Sequence, residues 1–128
     1  MTDDKQLAAS AEGVLKAFSG KVHESPTALP QMLAAGDFHL SKPRQIIIAG
    51  TPGSADVRAM LEEVASHYLP NRVLLGADGG EGQAFLGRHV EVLKDIKPIA
   101  GRATAYVCEN YACQQPTNDL KVLREQLR

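Results

Sequence analysis

Gln45-Ile46-Ile47-Ile48-Ala49-Gly50, followed after about 25 residues by Arg72-Val73-Leu74-Leu75-Gly76, decides the fold class. The first run is β-branched and unbroken by charge, as a strand buried on both faces must be. The second is shorter and equally apolar. Between them, Val57, Met60, Leu61, Val64 and Tyr68 recur at helical spacing, with Ser54 placed to cap and Asp56 near the positive end of the helix dipole. Pro70 and Asn71 close this segment. A strand-helix-strand unit of this length is a right-handed parallel crossover, so the two strands are expected to be neighbours.

Downstream, Ala77 to Gly82 reads as a loop rich in glycine and acid. Phe85, Leu86, His89, Val90, Leu93 and Ile96 then suggest a helix interrupted early by Gly87 and stopped at Lys97-Pro98. Thr104 to Glu109 reads as a third strand, followed by an irregular stretch to Pro116. A closing helix carries Leu120, Val122, Leu123 and Leu127, capped by Asn118 or Asp119.

Upstream, Lys42-Pro43 disfavours helix and marks the internal boundary. Before it, Leu7, Ala11, Val14, Leu15 and Phe18 define an amphipathic helix from Asp4 to about Ser19, with Gly20 as its stop. A second helix is expected from Ser25-Pro26-Thr27 through Leu29, Met32, Leu33 and Leu40, weakened in its middle by Gly36. Two helices cannot hide both apolar faces from water alone, so this hairpin requires something to pack on. The expected architecture is therefore α/β: a helical hairpin over residues 1–41, then a small domain over 42–128 with a three-stranded, mainly parallel sheet and flanking helices. The faces of the hairpin are the expected contact with another protein or the rest of a longer chain, and self-association is the other way to cover them.

Composition narrows the function. With 14 basic and 15 acidic residues, a net charge of −1 and no basic run, the chain lacks the footprint of a nucleic-acid binder. The absence of Trp, with three Phe and three Tyr, leaves little for a stacking platform. No apolar stretch approaches the roughly 20 residues that span a bilayer. The acidic start, Met1-Thr2-Asp3-Asp4-Lys5, differs from a signal peptide. Two cysteines are too few for a secreted disulfide framework, so the cytoplasm is the expected compartment.

Three constellations could carry chemistry. Gly50-Thr51-Pro52-Gly53-Ser54 lies between a strand and a helix N-terminus, where α/β folds bind phosphate. Gly50, Thr51, Gly53 and Ser54 are accordingly the ligand-binding candidates, for a small phosphorylated or sugar-related molecule. However, the loop has no P-loop lysine or dinucleotide fingerprint, and Pro52 removes an amide; an ordinary turn is the preferred reading. Cys108 and Cys113 are the redox candidates. Their four-residue spacing is not the thioredoxin type, and pairing requires the chain to turn back until the Cα atoms lie within about 7 Å. Buried structural thiols are the preferred reading. A metal site would need two further ligands, and His23, His39, His67 and His89 are scattered. Asp78-Gly79-Gly80-Glu81 is a solvated loop rather than a preorganised acid pair. No catalytic residue, metal or cofactor is assigned.

The stretch Arg102-Ala103-Thr104-Ala105-Tyr106-Val107-Cys108-Glu109-Asn110-Tyr111-Ala112-Cys113-Gln114-Gln115-Pro116-Thr117 resembles the C-terminal signature of the thioredoxin-domain-containing family that includes spermatogenesis-associated protein 20. Ala17 to Gly20, Pro30 to Ala35 and Pro43 to Gly50 resemble the stretches that precede it in that family, in the same order. The resemblance covers nearly the whole chain but only the tail of a much longer architecture, a thioredoxin-like domain joined to an α/α toroid. It implies that residues up to about Leu40 are the toroid's last hairpin and that the α/β part is an appendage. Together with the absence of a catalytic constellation, it points to a structural or interaction module without its own catalytic site, with a thiol switch at Cys108 and Cys113 as the alternative.

Overall fold

The computed structural model describes residues 4–109 and 112–128. Met1 to Asp3 of the acidic start, and Asn110 and Tyr111 between the cysteines, lie outside the described residues. The chain divides into two compact units, Met1–Lys42 and Pro43–Arg128.

The first unit is a helical hairpin. Helix α1 spans Lys5–Glu24, and the Asp4 carboxylate caps it by accepting from the Gln6 and Leu7 amides. It runs straight through Gly20, the expected stop. A glycine ends a helix from the left-handed region, and Gly20 is not among the glycines with positive φ. The stop falls instead at Ser25, whose backbone leaves the helical region ahead of Pro26, a residue that disfavours helix in the one before it. A single 3-10 turn, Pro26–Ala28, precedes helix α2, Pro30–Leu40. The second helix therefore starts later than Ser25. Continuous helix through Pro30 would drive its ring into the carbonyl four residues back, whereas at the first position of α2 the missing amide costs nothing. Gly36 is accommodated without a break. No residue of α1 or α2 is buried.

The second unit is built on a four-stranded sheet rather than the expected three. Strands β1 (Arg44–Ala49), β2 (Arg72–Ala77), β3 (Thr104–Glu109) and β4 (Ala112–Cys113) are ordered β2-β1-β3-β4. β1 and β2 are parallel neighbours, joined through helix α3 (Ala55–Ala65). The other two pairings, β1 with β3 and β3 with β4, are antiparallel, so the mainly parallel expectation is corrected. The cause lies in the segment between β2 and β3. A parallel return requires a crossover that carries the chain back along the sheet. The single helix expected over Phe85 to Ile96 is instead a six-residue helix α4 (Glu81–Leu86), closed at Gly87, and a 3-10 turn, Glu91–Lys94. This is too short a climb, and the chain re-enters where it left, with Thr104 opposite Ala49. Just before that, Ala100 and Gly101 both take positive φ, 54° and 68°, in the tight turn that pairs Ile99 with Arg102.

Both faces of the sheet are covered. On one, Ile46, Ile48, Ala105 and Val107 pack with Val57, Met60 and Val64 of α3 and with Leu123 and Leu127 from the last helix, α5 (Leu120–Gln126), and its C-terminal end. On the other, Ile47, Ala49 and Ala77 pack with Leu93 and Ile96. Ile46 and Ile48 face one core and Ile47 and Ala49 the other, which is why the strand is uniformly apolar after Arg44 and Gln45. Ser54 is the N-cap of α3 by position, but its hydroxyl lies on the Thr51 carbonyl rather than on a helix amide. Tyr68, counted in the helical stripe, lies beyond the end of α3 and is exposed. Asp119 is the cap of α5, accepting from the Lys121 amide.

Candidate functional site

The hairpin of β3 and β4 sets the geometry of the cysteines. Cys108 lies opposite Cys113 in the antiparallel register, beside the bond from the Gln114 amide to the Val107 carbonyl, 2.9 Å. This places them in a non-hydrogen-bonded pair, the closest approach that two facing residues have in such a ladder. Their Cα atoms are 3.9 Å apart and their sulfurs form a disulfide. The two ends differ in access. Cys108 is 4% exposed, flanked by Gln45 of β1 on its other side, whereas Cys113 is exposed on the last strand of the sheet. Free structural thiols, the preferred reading of the sequence, are therefore corrected to a paired cystine. Spacing alone could not reveal it, because β4 is two residues long and leaves no alternation to read.

Gly50 to Ser54 are brought together as a turn at the C-terminal ends of the parallel strands. The Gly50 amide donates to the Ala77 carbonyl, and the Ser54 amide and hydroxyl both reach the Thr51 carbonyl. The N-terminus of α3 carries a carboxylate from this chain. Asp56 accepts from its neighbour Val57 and, with its other oxygen, from the Ala103 amide at 2.7 Å, 47 residues away. The Ser54 hydroxyl and then the Ala103 and Val57 amides hold its pKa down at about 2. The Ser54 hydroxyl has one proton, which the Thr51 carbonyl also attracts, so it serves one of the two oxygens at a time. Gly50 itself is closely packed, since a Cβ there would meet Val57 Cγ2 at 2.5 Å. The sequence alone marks Asp56 as favourable to the helix dipole; its bond to Ala103 depends on the antiparallel return of β3.

The acidic loop is similarly internal in its bonding. Asp78 accepts from the Gly80 amide, and the Gly79 amide donates to Gln83. Gln83 is the residue that sequence reasoning missed: buried, it also donates to the Leu93 and Ile96 carbonyls and so stands in for the absent helical turns. Asn118 plays a related part, donating to the Ala103 carbonyl and the Thr104 hydroxyl. Glu63 on α3 takes a two-pronged bond from Arg124 on α5, at 2.8 and 2.7 Å, which lowers the Glu63 pKa and raises that of Arg124. His67 lies beside this pair, with Nδ1 2.9 Å from the Glu63 carbonyl oxygen. His89 meets Phe85 edge to face at 5.5 Å, and His23 and His39 line a cleft of about 770 Å³ in the helical unit. Among the described residues no three His, Cys, Asp or Glu side chains converge on a point that could hold a metal, and no helix is long and apolar enough to cross a membrane.

No protein-family model and no solved structure matches the chain. Three curated relatives do. The chain is 40% identical over 114 residues to spermatogenesis-associated protein 20 of Rattus norvegicus and to that of Homo sapiens, and 39% identical to that of Mus musculus. Each match takes in 89% of this chain and 14% of the relative. The chain thus matches, over most of its length, the C-terminal part of spermatogenesis-associated protein 20, and spans about one seventh of the relatives it resembles.

Proposed function

We propose that this chain is a structural and interaction module that docks through its helical hairpin onto further helices of a longer protein, with no catalytic centre of its own. The observation that carries this reading is the hairpin itself: two helices without one buried residue, presenting Leu7, Val14, Phe18, Leu33 and Leu40 to the surface. Apolar faces of this extent are stable when something covers them. The partner is the remainder of a polypeptide built like the relatives, of which this chain represents 14%.

Hydrogen exchange on the chain alone and on the chain fused to the segment that precedes the match in the rat relative tests this. Amides of Lys5–Glu24 and Pro30–Leu40 should exchange rapidly in the isolated chain and gain at least about tenfold protection in the fusion. Phe18→Asp should abolish that gain. Equal protection in both forms, or protection in the isolated chain that depends on its concentration, would replace docking with independent folding or self-association. Turnover of thiols or sugars by the purified chain at enzyme-like rates would overturn the non-catalytic reading.

A further inference from the structure

We infer that the Cys108–Cys113 disulfide is a reversible thiol-exchange site, opened by attack of a small thiol or a protein dithiol on the Cys113 sulfur. Three observations converge on it. First, the bridge joins two residues that the strand register already holds face to face, next to an intact backbone bond between Gln114 and Val107. Opening it therefore leaves the reduced thiols held in place to close again, which a bridge between distant segments would not do. Second, access is one-sided, because Cys113 is exposed on the terminal strand while Cys108 is buried between Cys113 and Gln45. Exchange depends on which sulfur a thiolate can reach. Third, the loop between the cysteines is short, and the downstream chain is anchored independently. Thr117 and Ala105 exchange both backbone bonds, at 2.8 and 3.0 Å, and Asn118 donates to Ala103. Reduction can thus be confined to the tip of the hairpin.

The thiolate of the reductant forms a bond to Cys113 Sγ; the bond between Cys113 and Cys108 breaks, and Cys108 leaves as a thiolate that takes up a proton from water. A second thiol of the reductant then displaces Cys113 Sγ from the mixed disulfide. The reductant ends as a disulfide, and the pair has gained two electrons and two protons. None of this depends on the helical hairpin, so it stands or falls separately from the docking function.

The native chain, equilibrated against graded ratios of reduced to oxidised glutathione, quenched with acid and alkylated, gives the thiol count by mass. The expected result is zero or two free thiols, interconverting reversibly with an unchanged far-ultraviolet circular dichroism spectrum. The trapped mixed disulfide should map to Cys113 in preference to Cys108 by at least about tenfold. In parallel, Cys108→Ser should take up one glutathione and Cys113→Ser essentially none; if either variant does not fold, peptide mapping of the wild type decides. A pair that stays closed under excess reduced glutathione until the protein is denatured is an inert staple and overturns the proposal. So does a pair that fails to close under oxidised glutathione, or glutathione found equally on both sulfurs.

Discussion

At the scale of single residues, two polar side chains tie the loops of the α/β unit together through partners outside their own elements. Asp56 is the clearest case, fastening the start of α3 to the residue before β3. Its pKa is lowered from 3.8 to about 2, so the folded state binds fewer protons than the unfolded one between those values. The stability it confers is fully present above about pH 4 and is lost as pH falls through about 2. Comparing wild type with Asp56→Asn by urea titration should show a stability gap that is constant from neutral pH to about 4 and closes below it. A gap independent of pH down to 2 would assign the effect to packing. Gln83 is the second case. Replacing it with leucine leaves the Leu93 and Ile96 carbonyls and the Gly79 amide without their partner, and should cost about 1–3 kcal/mol in chemical denaturation. Neither role was legible in the sequence. A residue's local position shows its propensity for a cap or a helix, but its partner is fixed only when the chain has returned, and the Ala103 amide reaches Asp56 just after a turn in which Ala100 adopts the left-handed region.

At the scale of elements, the aliphatic pattern is a good guide where an element buries one continuous stripe, as α3 and α5 do, or both faces, as β1 does. β1, α3 and α5 stand where Ile46 to Ala49, Val57 to Val64 and Leu120 to Leu127 place them. Within α5 the pattern did not say which apolar residues lie deepest. Leu123 is fully buried against α3 and the sheet, whereas Val122 is 41% exposed. Leu123→Ala should therefore destabilise the chain by about 2–5 kcal/mol through lost burial and a cavity. Val122→Ala should stay within about 0.5 kcal/mol, and equal effects in thermal or urea denaturation would contradict this packing. Strand direction and the fourth strand were beyond the pattern for different reasons. The apolar spacing of Phe85 to Ile96 is shared by a helix and by a broken path around Gln83, and only the second leaves β3 antiparallel to β1. β4 exists because Cys113 lies opposite Cys108, a relation between residues rather than a property of the two-residue strand.

At the scale of the molecule, the two units obey different energetics. Pro43–Arg128 has two aliphatic cores, one on each face of its sheet, and the ion pair of Glu63 with Arg124 ties α3 to α5 within it. Among the described residues of Met1–Lys42 none is in a buried cluster, so its 20-residue helix α1 lacks the tertiary packing from which most helical stability in proteins comes. Cooperative unfolding draws its enthalpy and heat capacity from surface that folding buries, so a unit without buried residues adds little to either. A shortened chain, Pro43–Arg128, should therefore keep its sheet and melt within about 2–4 °C of the full chain, the shift that a contribution near 0.5 kcal/mol produces in a domain of this size. The same argument makes the apolar-to-charged change Phe18→Asp silent in the melting of the isolated chain, because the side chain is already 45% exposed. In a longer protein that covers this face, the same substitution buries a charge and should weaken docking by several kcal/mol. Calorimetry of the three forms separates the alternatives. A large drop in melting temperature on removal of residues 1–42 would mean that the hairpin is an integral part of the folding unit; silence in the isolated chain with a large effect in the longer one is what a docking element requires.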